Sequence, residues 1–299
     1  MTEEDVHPLQ LTSAQVATLT RPQRERRIEE LMERFVEIID LGIANYLGTH
    51  RLAGKVVLYS GGDDSTTLAH LAKGMVNAAA HANTTIGIEQ TRQFVRDTCS
   101  GWNVPLLEKH PPVSYRELVL EQGFPGPAQH FKMYQRLKER CLRLVRAEFV
   151  TNPYAERVVF FAGRRRDESK RRADVPLFER DGSVIWISPI AEWTKLDLNT
   201  YRLMMGDVPR NPVSALLHMS GECLCGSFAK QDELAMIAEF FPEVVAEIME
   251  LEALIADRPD IPASRKKWGW GAWRHLDPAL MEAYRRKLGP MCSACAVAS

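Results

Sequence analysis

Long apolar runs are missing from this sequence: no stretch reaches the eighteen or so apolar residues that a membrane span needs. Its first residues, MTEEDVHPLQL, are acidic and lack the basic and apolar regions of a secretion signal. Both absences point to a cytoplasmic setting with no membrane partner. Excess charge is missing too. A formal charge of -1 over 299 residues leaves no overall positive field. That excludes binding of nucleic acid by bulk electrostatics alone. Neither an internal repeat nor a low-complexity tract occurs, which sets repeat architectures aside.

What is present is the composition of a globular chain, with 45% hydrophobic and 26% charged residues. The length suits one large α/β domain with appendages, or two smaller domains. Residues 1–20 carry little pattern and read as an arm. From Ile28, apolar positions Leu31, Met32, Phe35, Ile38, Ile39 and Ile43 recur at helical spacing, with Pro22 where a first turn tolerates it. The pattern then switches. KVVLYS (55–60), TTIGIEQ (84–90), VPLLEKH (104–110), RVVFFAG (157–163) and VIWISPI (184–190) read as five short strands. Helices are expected through Leu68, Leu71, Ala72 and Met75, through Phe94 and Val95, and over 131–149. The alternation predicts an α/β fold: a mostly parallel, five-stranded twisted sheet with helices on both faces. Ligands of such sheets bind beyond the carboxyl ends of the strands. After Ser220 the pattern is helical, with Pro242 opening one helix and another expected over 278–288.

One strand end stands out. In VVLYSGGDDSTTLAHL (56–71) the apolar run breaks at Ser60-Gly61-Gly62-Asp63-Asp64-Ser65 and re-enters a helix. Glycines let backbone N–H groups approach a ligand closely, and a helix N-terminus adds unpaired donors suited to phosphate. Ser60 and Ser65 offer hydroxyl donors. Asp64 is placed to hold Mg²⁺ against the phosphates or to cap the helix. No lysine follows the second glycine at the spacing of the G-x-x-x-x-G-K-[ST] loop.

This stretch resembles the S-G-G-x-D-S pyrophosphate loop of the ATP pyrophosphatase, or adenine nucleotide α-hydrolase, superfamily. The resemblance implies that the loop holds the β,γ-phosphates of ATP while the α-phosphate is attacked. Asp63 occupies the variable position, often lysine in the nearest relatives. A second segment, GRRRDESKRR (163–172), follows the fourth strand and resembles the G-x-R-x-x-E-S-x-x-R of the phosphoadenosine-phosphosulfate (PAPS) reductase-like branch. The matching residues are Gly163, which would permit the turn, Arg165, Glu168, Ser169 and Arg172. Arg165 and Arg172 suit bidentate contacts with phosphate or sulfate. Glu168 is placed to hold an arginine, and Ser169 to cap a following helix. Further on, Pro189, Trp193, Asp197, Tyr201, Asn211 and Pro212 match that branch's P-x-x-x-W-x-x-x-D-V-x-x-Y segment and its Asn-Pro turn, with Leu198 in place of valine. Ordinary core packing is the preferred reading of Trp193 and Tyr201.

Of six cysteines, Cys223 and Cys225 form a C-x-C pair, and Cys292 and Cys295 a C-x-x-C pair. Two pairs complete a tetrahedral sulfur set that either Zn²⁺ or a [4Fe–4S] cluster accepts. The set is similar to the paired cysteines of bacterial adenylyl-sulfate reductases, where the first pair is adjacent; the iron–sulfur reading is preferred. Cys99 and Cys141 read as buried small hydrophobes. The expected division is therefore an N-terminal arm and packing helix (1–50), a nucleotide-binding α/β domain (51–220) and a helical, cysteine-bearing region (221–299).

The reductases of the branch carry a nucleophilic cysteine in a Glu-Cys-Gly-x-His segment, which this sequence lacks, and usually an altered phosphate loop. The intact loop here implies an enzyme that uses ATP to adenylylate an acceptor, with catalytic roles for Asp64, Ser65 and Arg165. Sulfur transfer would come next, drawing on a sulfur-donor protein. Nucleic acid is one acceptor class: basic Arg164, Arg171, Lys266 and Lys267, with Trp268, Trp270 and Trp273, offer phosphate contacts and base stacking. An equal reading has those tryptophans cover the cysteine site. The alternatives are a sulfonucleotide reductase and a non-catalytic, nucleotide-binding partner subunit. The sequence does not fix an oligomeric state.

Overall fold

The computed structural model describes residues 9–229 and 233–269. Helix α1 (Ser13–Thr18) opens the fold, followed by the 27-residue α2 (Arg21–Leu47). The expected arm is therefore helical in part. Thr12 and Gln15 form a capping box around its first turn, a T-x-x-Q signal present in the sequence. Helix α2 lays Ile28, Leu31, Phe35, Ile38 and Ile39 into the main core. It is also fixed by a buried ion pair, in which Arg27 donates two hydrogen bonds to Asp197, at 2.9 and 3.1 Å.

Six strands, not five, make the sheet: β1 (Arg51–Leu58), β2 (Ala78–Ala82), β3 (Leu106–Lys109), β4 (Glu156–Phe161), β5 (Phe178–Asp181) and β6 (Val184–Ile187). Their spatial order is β3-β2-β1-β4-β6-β5, parallel except for the edge strand β5, which pairs antiparallel with β6. The sixth strand arises from a hairpin through Asp181 and Gly182, where Gly182 has φ +55°. An Asp-Gly turn between two short runs is a hairpin signal.

The expected second strand is displaced. AAAHA (Ala78–Ala82) takes the position beside β1, and residues 84–88 form an irregular segment instead. That segment is pinned by backbone bonds from Leu224 to Ile86 (3.0 Å) and from Ile88 to Gly221 (2.9 Å). Alanine has poor strand propensity, yet Ala78, Ala79 and Ala80 are all buried. Burial on both faces of a central parallel strand decides here, and small side chains admit close helices.

Helices α3 (Asp63–Ala72), α4 (Glu89–Gly101), α5 (Tyr115–Gln122), α6 (His130–Tyr134), α7 (Arg140–Phe149) and α8 (Lys195–Met205) connect and cover the strands. Between α6 and α7 the predicted helix over 131–149 widens into a π-turn at Gln135–Glu139. Three more helices complete the described fold: α9 (Pro212–Leu217), α10 (Glu233–Phe240) and α11 (Pro242–Ile255), the last opened by Pro242 as expected. These pack with residues 86–137 around a second core holding Ile88, Tyr115, Val213, Ile248 and Trp268. Among the described residues no helix is long and apolar enough to cross a membrane.

Candidate active site at the sheet's carboxyl edge

Strand order reverses at β1, which has β2 on one side and β4 on the other. Crevices open at such switch points. The loops after β1 and β4 meet there: a Cβ built on Gly163 would lie 3.5 Å from both Cα and N of Ser65. That is ordinary contact, and Gly163 is not among the positive-φ residues. The turn after β4 thus makes no demand for glycine.

Gly61 is different. Its φ is +75°, and a Cβ there would come within 2.9 Å of Thr91 and 3.0 Å of Val95. Asn211 fixes this bend: its Nδ2 donates to the Gly61 carbonyl (2.9 Å) and to Thr91 Oγ1 (3.0 Å), while its Oδ1 accepts from Val213 N. The Asn-Pro turn therefore caps α9 and holds the loop in one step.

Gly62 is the N-cap of α3, which puts Asp63 and Asp64 in the first turn rather than at the cap. Ser65 Oγ donates to the Gly62 carbonyl (3.0 Å), accepts from Ser60 N (3.3 Å) and lies 3.1 Å from Ser60 Oγ. The two carboxylates are matched by cations from other elements. Arg165 Nε donates to Asp64 (2.8 Å), Lys195 Nζ lies 3.0 Å from Asp63 and 3.4 Å from Asp64, and Arg202 Nη2 donates to Asp63 (3.0 Å). Burial pushes the Asp63 carboxyl up, but Arg202 and Lys195 outweigh it and hold it down to about 2. Lys195 and Arg202 escaped the sequence reading. Their i, i+7 spacing, which puts them on one helical face, was the available signal.

Arg165 is 3% exposed, and among the described residues its Nη1 has no hydrogen-bond partner, Asp167 Oδ2 lying at 3.7 Å. Glu168 forms an ion pair with Arg172. Its burial, with Asp64 nearby, still raises the Glu168 carboxyl above the ordinary range. Ser169 makes no cap: it is extended (φ -167°) and leads into a three-residue turn, Lys170–Arg172. Its carbonyl accepts from Arg172 N at 2.8 Å. A cleft of about 840 Å³ spans these loops. Its far wall includes Tyr134, Lys138, Arg210 and Glu222.

Glu222 joins the cleft to the cysteine loop. The side chain is 1% exposed and faces His81 Nε2 (3.1 Å), Thr84 N (2.9 Å) and Arg92 Nε (3.5 Å). The neighbouring Cys223 and Cys225 shift each other's thiols: Cys225 holds Cys223 down to about 6, while Cys225 is itself pushed well up. Cys225 Sγ lies 3.2 Å from Ser227 Oγ. Around them Trp268 Nε1 donates to the Leu224 carbonyl (2.7 Å), and Tyr115 Oη to the Cys225 carbonyl (2.9 Å). Cys292 and Cys295 lie outside the described residues. Among the described residues no three potential metal ligands come together. The described residues therefore contain two of the four cysteines expected to hold a metal.

Trp268 is 1% exposed and covers the cysteine loop. It offers no face to a base. Lys266 donates to the Ala256 carbonyl, Lys267 pairs with Glu252, and Arg164 pairs with Glu179 over the Trp186 ring. Trp270 and Trp273 lie outside the described residues. Trp193 and Tyr201 are buried, edge to face, as core residues.

Residues 54–215 match the model of the phosphoadenosine phosphosulfate reductase domain, more than half of the chain. The chain belongs to that family. Among its curated relatives, adenosine 5'-phosphosulfate reductase of Salinibacter ruber is 27% identical over 134 residues, 44% of this chain and 50% of that protein. Phosphoadenosine 5'-phosphosulfate reductase of Shewanella oneidensis is 27% identical over 214 residues, 66% of this chain and 80% of that protein. The chain thus spans about half the length of the first of these. A phosphate complex of the PAPS reductase from Candida auris is similar at 16% identity and a TM-score of 0.44, over 67% of this chain and 93% of that one. The PAPS reductase domain, residues 54–215, contains the Ser60–Ser65 loop and the 163–172 segment and ends within α9.

Proposed function

We propose that this protein binds ATP at the Ser60–Ser65 loop and uses it to adenylylate an acceptor oxygen, releasing pyrophosphate ahead of sulfur transfer. One observation carries the reading: the buried Arg165 guanidinium, with an unpartnered Nη1, lines the same cleft as the glycine bend and the N-terminus of α3. A buried donor without a partner costs about 1–3 kcal/mol. A phosphate oxygen would offset that cost.

In this scheme the backbone N–H groups after Gly61 and the Ser60 and Ser65 hydroxyls hold the β,γ-phosphates. Arg165 stabilises charge as the acceptor oxygen bonds to the α-phosphorus and the bond to the pyrophosphate oxygen breaks. Lys195 supplies the charge that relatives often carry at position 63. Asp64 would hold Mg²⁺, whose chemistry there is charge neutralisation: its Oδ1 meets only Lys195, at 3.4 Å. Glu168 orients Arg172. A sulfur nucleophile from a donor protein then displaces AMP from the adenylylated acceptor, for which nucleic acid is one class. Cys223 and Cys225, with Cys292 and Cys295, would hold a [4Fe–4S] cluster or Zn²⁺ and tie region 221–299 to domain 51–220. A cluster supplies electron transfer; zinc supplies the tie alone.

The names of the curated relatives favour a second reading, sulfonucleotide reduction. Pyrophosphate release from ATP and Mg²⁺ with cellular nucleic-acid fractions, run beside sulfite release from adenylyl sulfate and PAPS, separates the two. Ser65→Ala and Asp64→Ala should each lower pyrophosphate release by about a hundredfold or more. ATP binding without turnover on any acceptor or sulfonucleotide would instead make this a partner subunit.

A further inference from the structure

The segment from α6 through the π-turn to α7 is strongly basic. Over 130–149 it carries six Lys or Arg against two Glu, while the whole chain has net charge -1. Among the described residues Lys132, Arg136, Lys138 and Arg140 pair with no carboxylate, whereas Arg143 pairs with Glu139. Lys132, Arg136, Arg140 and Arg143 line an open groove of about 320 Å³ along this segment.

Two aromatic rings stand out on the same segment. Phe131 is 66% exposed and Tyr134 42% exposed. The helix that bears them is anchored, since Met133, Leu137, Cys141 and Val145 are buried and His130 packs edge-on against Phe228 at 4.7 Å. Exposure of these rings is thus a property of the surface, not of a loose end. Tyr134, Lys138 and Leu142 also line the cleft that holds the phosphate-loop residues. The π-turn carries Arg136 and Lys138 and follows directly on the exposed rings, and such turns recur at functional sites.

We propose that this surface docks a single-stranded nucleic acid, with bases stacked on Phe131 and Tyr134 and phosphates along Lys132, Arg136 and Arg140. Stacking on an exposed ring needs an unpaired base face, which a duplex does not present. Lys132, Arg136 and Arg140 form no ion pair among the described residues, and Glu139, the one carboxylate lining the groove, is engaged by Arg143, so the cations are free to meet a phosphodiester backbone. A strand lying here would pass Tyr134 into the cleft, beside Arg165. This deepens the reading of nucleic acid as acceptor, and that link to catalysis rests on it; the binding surface does not.

Fluorescence anisotropy of the full chain with labelled single-stranded RNA and DNA of one mixed sequence, and with their duplexes, tests it. Single strands should bind more tightly than duplexes, and the RNA and DNA arms tell which sugar is preferred. Phe131→Ala should weaken binding by roughly five- to 150-fold. The triple variant Lys132→Gln, Arg136→Gln, Arg140→Gln should lower the slope of log affinity against log salt by about 2. Arg180→Gln, on the edge strand β5, should leave binding unchanged, and circular dichroism checks that each variant is folded. Folded variants that bind like the parent would overturn the proposal. So would preferential binding of polyglutamate, which means an acidic protein partner, or a dimer that Phe131→Ala dissociates in sedimentation. Ser65→Ala should keep oligonucleotide binding while losing ATP turnover. Failure of ATP turnover alone therefore removes the proposed reaction and leaves this surface standing, and lost oligonucleotide binding does the reverse.

Discussion

Replacing Asp63 with asparagine separates what the first turn of α3 does for stability from what it does to an incoming anion. Asp63 accepts from Arg202 and Lys195, and its carboxyl sits at about 2 against an ordinary 3.8. The difference corresponds to about 2 kcal/mol of folding free energy at neutral pH. Because the folded value is the lower one, this stability is complete above the unfolded value. It is lost as pH falls from about 4 towards 2. Asparagine keeps an oxygen for Arg202 but loses the charge. Asp63→Asn should therefore melt roughly 4–8 °C below the parent at pH 7, and the two melting curves should converge as pH approaches 2. Removing a negative charge beside the phosphate loop should also tighten ATP binding, by an order of 1 kcal/mol or about fivefold. Differential scanning fluorimetry from pH 2 to 7 and titration calorimetry with ATP and Mg²⁺ read the two effects. Equal melting temperatures at pH 7, or a gap that persists undiminished into acid, would refute the pairing argument. Weaker ATP binding would refute the electrostatic one.

Gly61→Ala forces a side chain into a left-handed bend against Thr91 and Val95. It should cost about 1–3 kcal/mol in chemical denaturation and reduce ATP affinity with it. Trp268→Ala empties a fully buried site over the cysteine loop. It should cost about 3–5 kcal/mol and make Cys223 react faster with a thiol reagent than in the parent. An unchanged reactivity would mean that Trp268 does not shield the loop.

The loops after β1 and β4 were legible in the sequence because their residues alternate sharply with apolar strands. Strand β4, with six buried residues in a row, announced itself the same way. Strand β2 did not. Residues 84–90 look more like a strand than AAAHA does, since β-branched side chains favour strands locally. Position between β1 and β3 decided against them, and position is not a local property. Ile86 and Ile88 serve the second core instead. Strand β5 was readable from Asp181-Gly182, as was α1 from its capping box, but both signals are short. Long-range partners were least legible. Nothing near Glu222 in sequence reveals that His81, Thr84 and Arg92 meet it, and Asn211 reaches Gly61 across 150 positions.

The charge pattern of the loop also shows why its motif is not by itself a phosphate site. Helix α3 begins with two carboxylates, Asp63 and Asp64, which satisfy the positive end of the helix dipole before any ligand arrives. A bare Ser-Gly-Gly-Asp-Asp-Ser turn would repel a triphosphate. The cations come from elsewhere: Arg165 from the loop after β4, Lys195 and Arg202 from α8. Arg165, Lys195 and Arg202 thus offset the charge of Asp63 and Asp64, which the segment alone cannot do. Arg165 is buried and fixed, whereas Lys195 is 44% exposed on a long stem and free to turn from Asp63 to an entering phosphate. Under the proposed function, anion binding at this edge would depend on α8 packing against α3, a tertiary contact that reaches back through Asp197 to Arg27 on α2.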